Sequence, residues 1–356
     1  SDYPAIIDAL KTGEISYDMR LKLAAKAFTR TAAYDGLISN YLNSLDSEFP
    51  STYTFQFGNC RPLRYGENPH QKAAVYGVHG IAGQTSLQGK EMSYNNYLDV
   101  NAAVGLLRDL KDYGYATVIV KHNNPCGVAI GSTQLESYIK ARDVDPVSAY
   151  GSIVAMSKEV DANVAKEICS TFVEVLIAPS FTKEALELMK KKENMRVLIL
   201  PEEVEADEVR TIDGGILVQR TPKHEEDWTV VTKRAPTEDE TKALKLAWIV
   251  AKYAKSNAII YANKSETVGI GVGQMNRVNS AQIAVMKAGE FGRTMKDTVV
   301  ASDAFLPFPD TLEVAAAAGA TALIQPGGSI RDDLVVQKAD ELGVAMVYTG
   351  TRHFRH

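Results

Sequence analysis

Thr117-Val118-Ile119-Val120-Lys121-His122-Asn123-Asn124-Pro125-Cys126-Gly127 is the stretch on which the reading of this chain turns. Val118, Ile119 and Val120 form a β-branched run that predicts a buried strand over 116–120. The run stops at Lys121-His122, and an Asn-Asn-Pro turn follows. The carboxyl end of such a strand is where open α/β folds place reacting groups. Lysine brings a fixed cation, and histidine a proton carrier that works near neutral pH. In isolation such a pair is more often a polar strand terminus. Its surroundings tip the balance toward chemistry.

Outward from this stretch the sequence alternates between strand-like and helix-like segments. Strands are predicted over 153–156, 172–178 and 196–200, then over 258–262, 268–272, 298–301, 322–325 and 345–348. Helices are predicted over 16–43, 97–110, 133–142, 162–171, 182–191, 238–255, 280–290, 312–318 and 331–342. Thr133 with Glu136, and Thr237 with Glu240, have capping-box spacing. A polar, acidic stretch over 201–236 carries an Asp213-Gly214-Gly215 turn between extended segments. The alternation implies an α/β protein of two lobes, with mixed or parallel sheets covered on both faces. No short-period repeat is visible.

The 356 residues suffice for two domains and a large core. No apolar run reaches the 18 or more residues a membrane span requires. A net charge of -5 argues against a nucleic-acid surface, while leaving room for a local anion pocket. Cys60, Cys126 and Cys169 are odd in number and lack CxxC spacing, which suits reduced thiols in the cytoplasm. The chain opens on Ser1-Asp2-Tyr3, so either its start is processed or it is the C-terminal part of something longer. Leu21, Ala24, Ala25, Phe28 and Ala32 form a helical stripe with no partner nearby in sequence, which favours the second option.

Four further clusters carry possible chemistry. Arg64-Tyr65-Gly66-Glu67-Asn68-Pro69-His70-Gln71 gathers guanidinium, phenol, amide and imidazole in one loop, suited to a phosphate and a polar heterocycle. A solvated loop is the bland alternative. Asn257 has donor and acceptor enough to hold a formyl or amide oxygen, though asparagine also suits a helix C-cap. Gly269-Ile270-Gly271-Val272-Gly273 matches a dinucleotide loop poorly, and close packing explains the glycines better. Ser302 to Asp310 sets two acids beside two aromatic rings and two prolines, a wall fit for a flat ligand such as a pterin, or else an aromatic core corner. His122 and Pro125-Cys126 echo a zinc deaminase, but the glutamate and the second cysteine of that site are missing.

Together the segments LRYGENPHQKAAVYG, VIVKHNNPCGVA, DPVSAYGSIVA, EVLIAPSF, KSNAIIYA, GIGVGQMNRVNSA, ASDAFLPFPD, QPGGSIRDD and TRHFRH resemble the aminoimidazole carboxamide ribonucleotide (AICAR) formyltransferase domain of the bifunctional purine biosynthesis protein. They run in order from about residue 54 to 356. The resemblance implies two cytidine-deaminase-like α/β subdomains without zinc, over 54–235 (with a linker) and 236–356. It implies that residues 1–50 are a helical remnant of the inosinate cyclohydrolase domain, whose activity this chain lacks. It implies a homodimer with shared active sites, and formyl transfer from 10-formyltetrahydrofolate to AICAR. On that resemblance His122 takes the amine proton, Lys121 meets the tetrahedral oxyanion, and Asn257 orients the formyl group. AICAR is expected against Arg64, Tyr65, His70, Asn96, Tyr150, Gly151, Glu174, Lys192, Asp310 and Arg352. Folate is expected against Val278, Phe305, Pro307 and Phe308, and a potassium ion near Ser256 and Asp303. Tyr150 and Thr311 depart from phenylalanine and asparagine in some relatives. The rival from another class is a silent nucleotide- or folate-binding module; a pure binder has no need of the Lys121, His122 and Asn257 set.

Overall fold

The computed structural model describes residues 2–205, 207–220 and 227–356 and separates into two compact units, 1–60 and 61–356. The first unit is helical. It holds α1 (Tyr3–Lys11) and α2 (Tyr17–Ser44), the latter capped by Ser16, whose hydroxyl accepts from the Met19 N–H. The stripe along α2 stays largely in solvent: Leu21 and Phe28 are exposed, and Gly36, against Thr54, is the buried residue.

The second unit begins with a small antiparallel pair, β1 (Arg61–Leu63) and β2 (Ala73–Val75), and then builds two lobes. The first lobe runs α3 (Tyr94–Asp109), β3 (Tyr115–Lys121), β4 (Asn124–Gly131), α4 (Gln134–Val144), α5 (Pro146–Ala149), β5 (Ser152–Met156), α6 (Ala162–Ile168), β6 (Val173–Ala178), α7 (Lys183–Met189) and β7 (Arg196–Ile199). An exposed hairpin of β8 (Glu208–Ile212) and β9 (Gly215–Gln219) turns at Asp213-Gly214, where Gly214 has φ +74°. The second lobe runs β10 (Thr229–Val230), α8 (Glu238–Tyr253), β11 (Ile259–Ala262), β12 (Thr267–Gly271), α9 (Arg277–Glu290), β13 (Thr298–Ser302), α10 (Asp310–Ala318), β14 (Ala320–Gln325), α11 (Asp332–Leu342) and β15 (Ala345–Tyr348).

Both lobes carry a mixed sheet, ordered β4-β3-β5-β6-β7 and β12-β11-β13-β14-β15-β10. In each, a hairpin pairs antiparallel with the next strand, and two parallel neighbours follow. One topology is therefore used twice, although no sequence repeat announces it. Strand alternation divides the side chains between layers. Val118, Val120, Ile153, Ala155, Ile260, Ala301 and Ile324 face a shared central layer made by α3 and α8. Ile119, Val154 and Leu176 face α4, α6 and α7 on the outside of one sheet. Ile259, Val300 and Leu323 face α9, α10 and α11 on the outside of the other. Because α8 lies between two sheets it is apolar over most of its girth, from Ala243 to Ala251.

The hairpins of the two lobes meet head to tail. The first tip reaches the base of the second through Asn124, whose side-chain oxygen accepts from the Lys255 N–H at 3.0 Å. The second tip reaches the base of the first through Ile130, whose N–H donates to the Ser265 carbonyl at 2.7 Å. Two local expectations need correction. The turn is formed by His122 and Asn123, not by Asn-Asn-Pro, and Asn124 and Pro125 already belong to β4. Proline is tolerated there because β4 ends its sheet. At α4, Thr133 caps the Glu136 N–H, but Glu136 reaches back to Ser132, so the box is half-formed; the Thr237–Glu240 box of α8 is complete.

Candidate active site

The site is best built from the tip of the β3–β4 hairpin. His122 and Asn123 both adopt left-handed backbone, with φ +51° and +62°, which turns the chain sharply and leaves the His122 side chain exposed. The tip is tied from two directions. Asp99, on the second turn of α3, accepts the Asn123 N–H at 2.7 Å. Asn124 donates to the His122 carbonyl at 3.3 Å while its oxygen holds Lys255. Burial pushes the Asp99 carboxyl above its usual range, against the Asn123 and His122 N–H groups and the charge of the tip. Just beyond, Cys126 is half-buried, and desolvation pushes its thiol up to about 12, so it stays protonated at neutral pH.

Lys121 lies at the carboxyl end of β3, as the sequence predicts. Since β5 runs antiparallel to β3, that end coincides with the amino ends of β5, β6 and β7. The Lys121 ammonium donates to the Tyr150 carbonyl. Gly151 has φ +70°, and a Cβ there would meet the Phe172 ring at 3.2 Å and Lys121 Nζ at 3.6 Å. Tyr150 is exposed and packs on Phe172, ring centres 5.4 Å apart. Phe172 also lines a cavity of about 250 Å³ bounded by Thr171, Lys191, Lys192 and Asn194. Lys192 donates to the Thr171 carbonyl at 3.4 Å. Glu174 pairs with the buried Arg196 at 2.7 Å, and Arg196 in turn donates to the Glu91 carbonyl. The contacts thus gather Lys121, Tyr150, Gly151 and Lys192 around Phe172, with Glu174 on the adjoining strand.

The second-lobe residues gather at the opposite kind of edge, the carboxyl end of β13. Asn257 follows the cis peptide bond after Ser256, and its side-chain amide and backbone N–H both donate to the Gln274 carbonyl. It is no C-cap, because α8 ends at Tyr253. Ser256 Oγ donates to Asp303 at 2.6 Å, and the Arg277 guanidinium stands 3.4 Å from the other Asp303 oxygen. Burial holds Arg277 below its ordinary basicity, opposing the effect of Asp303. Phe354 lies between Arg277 and Arg352, at 5.7 and 4.6 Å from their guanidinium carbons. Asp303 is fully buried, so it does not edge an apolar wall as expected from the sequence; Asp310, at the start of α10, is exposed. Phe305 and Pro307 are half-buried, and the exposed Phe308 carries Arg331 over its ring at 4.4 Å. Val278 is half-buried on the first turn of α9.

The loop of Arg64, Tyr65 and His70 is closed by the Gly66 N–H to Gln71 carbonyl bond at 2.8 Å. Arg64 donates to the Tyr65 hydroxyl at 3.0 Å, and Asn95 donates to the Glu67 carbonyl at 3.2 Å. Asn96 is buried, with its side-chain oxygen in the capping box of α3 with Ser93. This loop and the hairpin tip are both attached to α3, the loop through Asn95 and the tip through Asp99. Sequence reasoning missed Asp99, Asn124, Arg196, Arg277 and Arg331. The signal for Asp99 was present, since Asn95, Asn96 and Asp99 make a polar cluster at the start of a helix whose middle, from Ala102 to Leu107, is apolar. Gly271 is explained as packing: a Cβ would fall 1.8 Å from the Ser280 carbonyl oxygen.

Residues 1–287 match the family model described as the AICARFT/IMPCHase bienzyme. The chain is 47% identical over its whole length to the bifunctional purine biosynthesis protein PurH of Bacillus cytotoxicus, of which it covers 71%. The same coverage holds for PurH of Thermoanaerobacter sp., at 47% identity, and of Anoxybacillus flavithermus, at 48%. A family model over residues 1–287 and relatives matched along the whole chain leave one assignment: the chain belongs to the AICARFT/IMPCHase bienzyme family.

Proposed function

We propose that this chain is the formyltransferase part of a bifunctional purine biosynthesis enzyme, moving a formyl group from 10-formyltetrahydrofolate to the 5-amino group of AICAR. The observation that carries this reading is the family match along the chain, together with a Lys-His pair held at a rigid hairpin tip.

The AICAR amine is a poor nucleophile, because its lone pair delocalises into the imidazole and carboxamide. Attack on the formyl carbon therefore needs proton removal and charge stabilisation together. In this reading His122 takes a proton from the amine as its nitrogen bonds to the formyl carbon. Lys121 stabilises the oxyanion of the tetrahedral intermediate. Collapse re-forms the carbonyl and expels N10 of the folate, whose protonation Lys121 assists as the C–N bond breaks; the proton taken up by His122 restores the balance. Asn257 holds the formyl oxygen or the imidazole from the other lobe. Arg64, Tyr65, His70, Asn96, Tyr150, Gly151, Glu174, Lys192, Asp310 and Arg352 are the proposed AICAR contacts. Val278, Phe305, Pro307 and Phe308 are the proposed folate wall.

Several of these residues stand on separate patches of one chain, which supports a homodimer whose sites draw on both copies. Exposed apolar groups beside them, Tyr150, Met275, Phe308 and Ile330, support the same reading. A monovalent cation near this cluster would be held by two hard oxygen donors, the buried Asp303 carboxylate and the Ser256 hydroxyl, with the Arg277 guanidinium 3.4 Å from the same carboxylate. Such an ion would add positive charge beneath the Asn257 segment, and no transfer step passes through it. Two cytidine-deaminase-like subdomains, a cyclohydrolase remnant at 1–50 and a cytoplasmic location complete the proposal. Among the described residues no helix is long and apolar enough to cross a membrane. The test is tetrahydrofolate release, followed by absorbance, with AICAR and 10-formyltetrahydrofolate. Turnover is expected; binding of both ligands without release would favour a silent module.

A further inference from the structure

We propose that Asp99 and Asn124 are positioning residues of the formyl transfer, a two-point anchor that fixes the Lys121–His122 tip against both lobes. The inference rests on the reading of His122 and Lys121 as the working pair. The two left-handed turn residues lie beyond the last ladder pair, Lys121 with Asn124, so the N–H groups of His122 and Asn123 need an acceptor from elsewhere. Asp99 supplies it: its carboxylate takes the Asn123 N–H at 2.7 Å and also faces the His122 N–H. Asp99 stands on α3, in the central layer shared by the two lobes. Asn124 makes the second attachment. One side-chain amide grips the His122 carbonyl at 3.3 Å and the Lys255 N–H at 3.0 Å. Lys255 is two residues from Asn257, so the same amide sets the height of the tip relative to the group that meets it from the other lobe.

Neither residue is assigned a contact with AICAR or folate. Their effect runs through placement, and catalysis is sensitive to it: a shift of about 1 Å in a reacting group can cost on the order of 10²-fold in rate. Asp99→Ala and Asn124→Ala, assayed beside His122→Ala in the full chain, test the proposal. Each anchor variant is expected to lower kcat by about 10- to 100-fold while the KM for AICAR stays within about twofold. Asp99→Asn keeps one acceptor oxygen and should recover part of the loss.

Folding is checked by thermal melting. If Asp99→Ala does not fold, Asn124→Ala and Asp99→Asn decide the matter. Folded variants with kcat within twofold of the parent, or with a raised KM and unchanged kcat, overturn the anchor. Failure of the underlying reading looks different: there His122→Ala itself retains its turnover, or the parent chain transfers no formyl group.

Discussion

Replacing His122 with alanine removes the proposed base and leaves anchors such as Arg352 in place. Steady-state kinetics should show kcat reduced by about 10²–10⁴, or about 3–5 kcal/mol of barrier, with little change in AICAR affinity. Near-normal kcat with only KM altered would assign the proton to a water or to the substrate carboxamide instead. Lys121→Arg should rescue poorly, because a flat fork cannot replace a point charge that already donates to the Tyr150 carbonyl. At this scale much was legible in the sequence: Lys and His at a strand end announce themselves by residue type. Their anchors did not. Asp99 and Asn124 have ordinary side chains whose roles come from a turn placed by tertiary contacts.

The elements carry two predictions of their own. Gly271 lets β12 lie against α9, and Gly271→Ala would drive a methyl into the Ser280 carbonyl. A loss of about 3 kcal/mol is expected from overpacking, measured by denaturant unfolding. A change below about 0.5 kcal/mol would mean that α9 yields more easily than its packing implies. Glu240, in the cap of α8, gives a pH signature. Burial alone would raise its carboxyl, but Arg234, Thr321 and the Thr237 N–H outweigh it and hold the group at about 2. A carboxyl lowered in the folded state contributes stability in full above its ordinary value near 4.5, and that contribution is lost as pH falls from there toward 2. Glu240→Gln should therefore flatten the acid-side loss of melting temperature over that window. Identical slopes for parent and variant would place the linkage elsewhere. Strands and helices were largely visible from periodicity. Short elements such as α1, β1, β2, α5 and β10 were not, and neither was the longer β4, because its opening Asn, Pro, Cys and Gly carry little β-propensity and its strand form comes from pairing with β3.

For the whole molecule the homodimer proposal makes a complementation prediction. Mixing inactive Lys121→Ala chains with chains inactivated at the proposed folate wall, by Phe305→Ala with Phe308→Ala, should restore part of the activity if one site draws these residues from different copies. No recovery in demonstrated heterodimers would assign both to one copy. The duplicated topology was hidden from the sequence, since topology is set by strand order and crossover, which different side chains satisfy equally well. The shared layer of α3 and α8 also has a consequence for synthesis on the ribosome. The first sheet and α3 are complete by residue 199, but the helix and strands that cover Leu106 and Leu107 come from the last ~150 residues. At about 5–20 residues per second, that apolar face waits roughly 10–30 s for its cover. A chain released at residue 235 should accordingly bind a hydrophobic dye and aggregate; a monodisperse, dye-silent fragment would show the first lobe to be self-sufficient. The expected consequence is that the nascent first half calls on holding chaperones until the second-lobe strands are made, and that refolding is limited by the docking of late-made segments onto early ones.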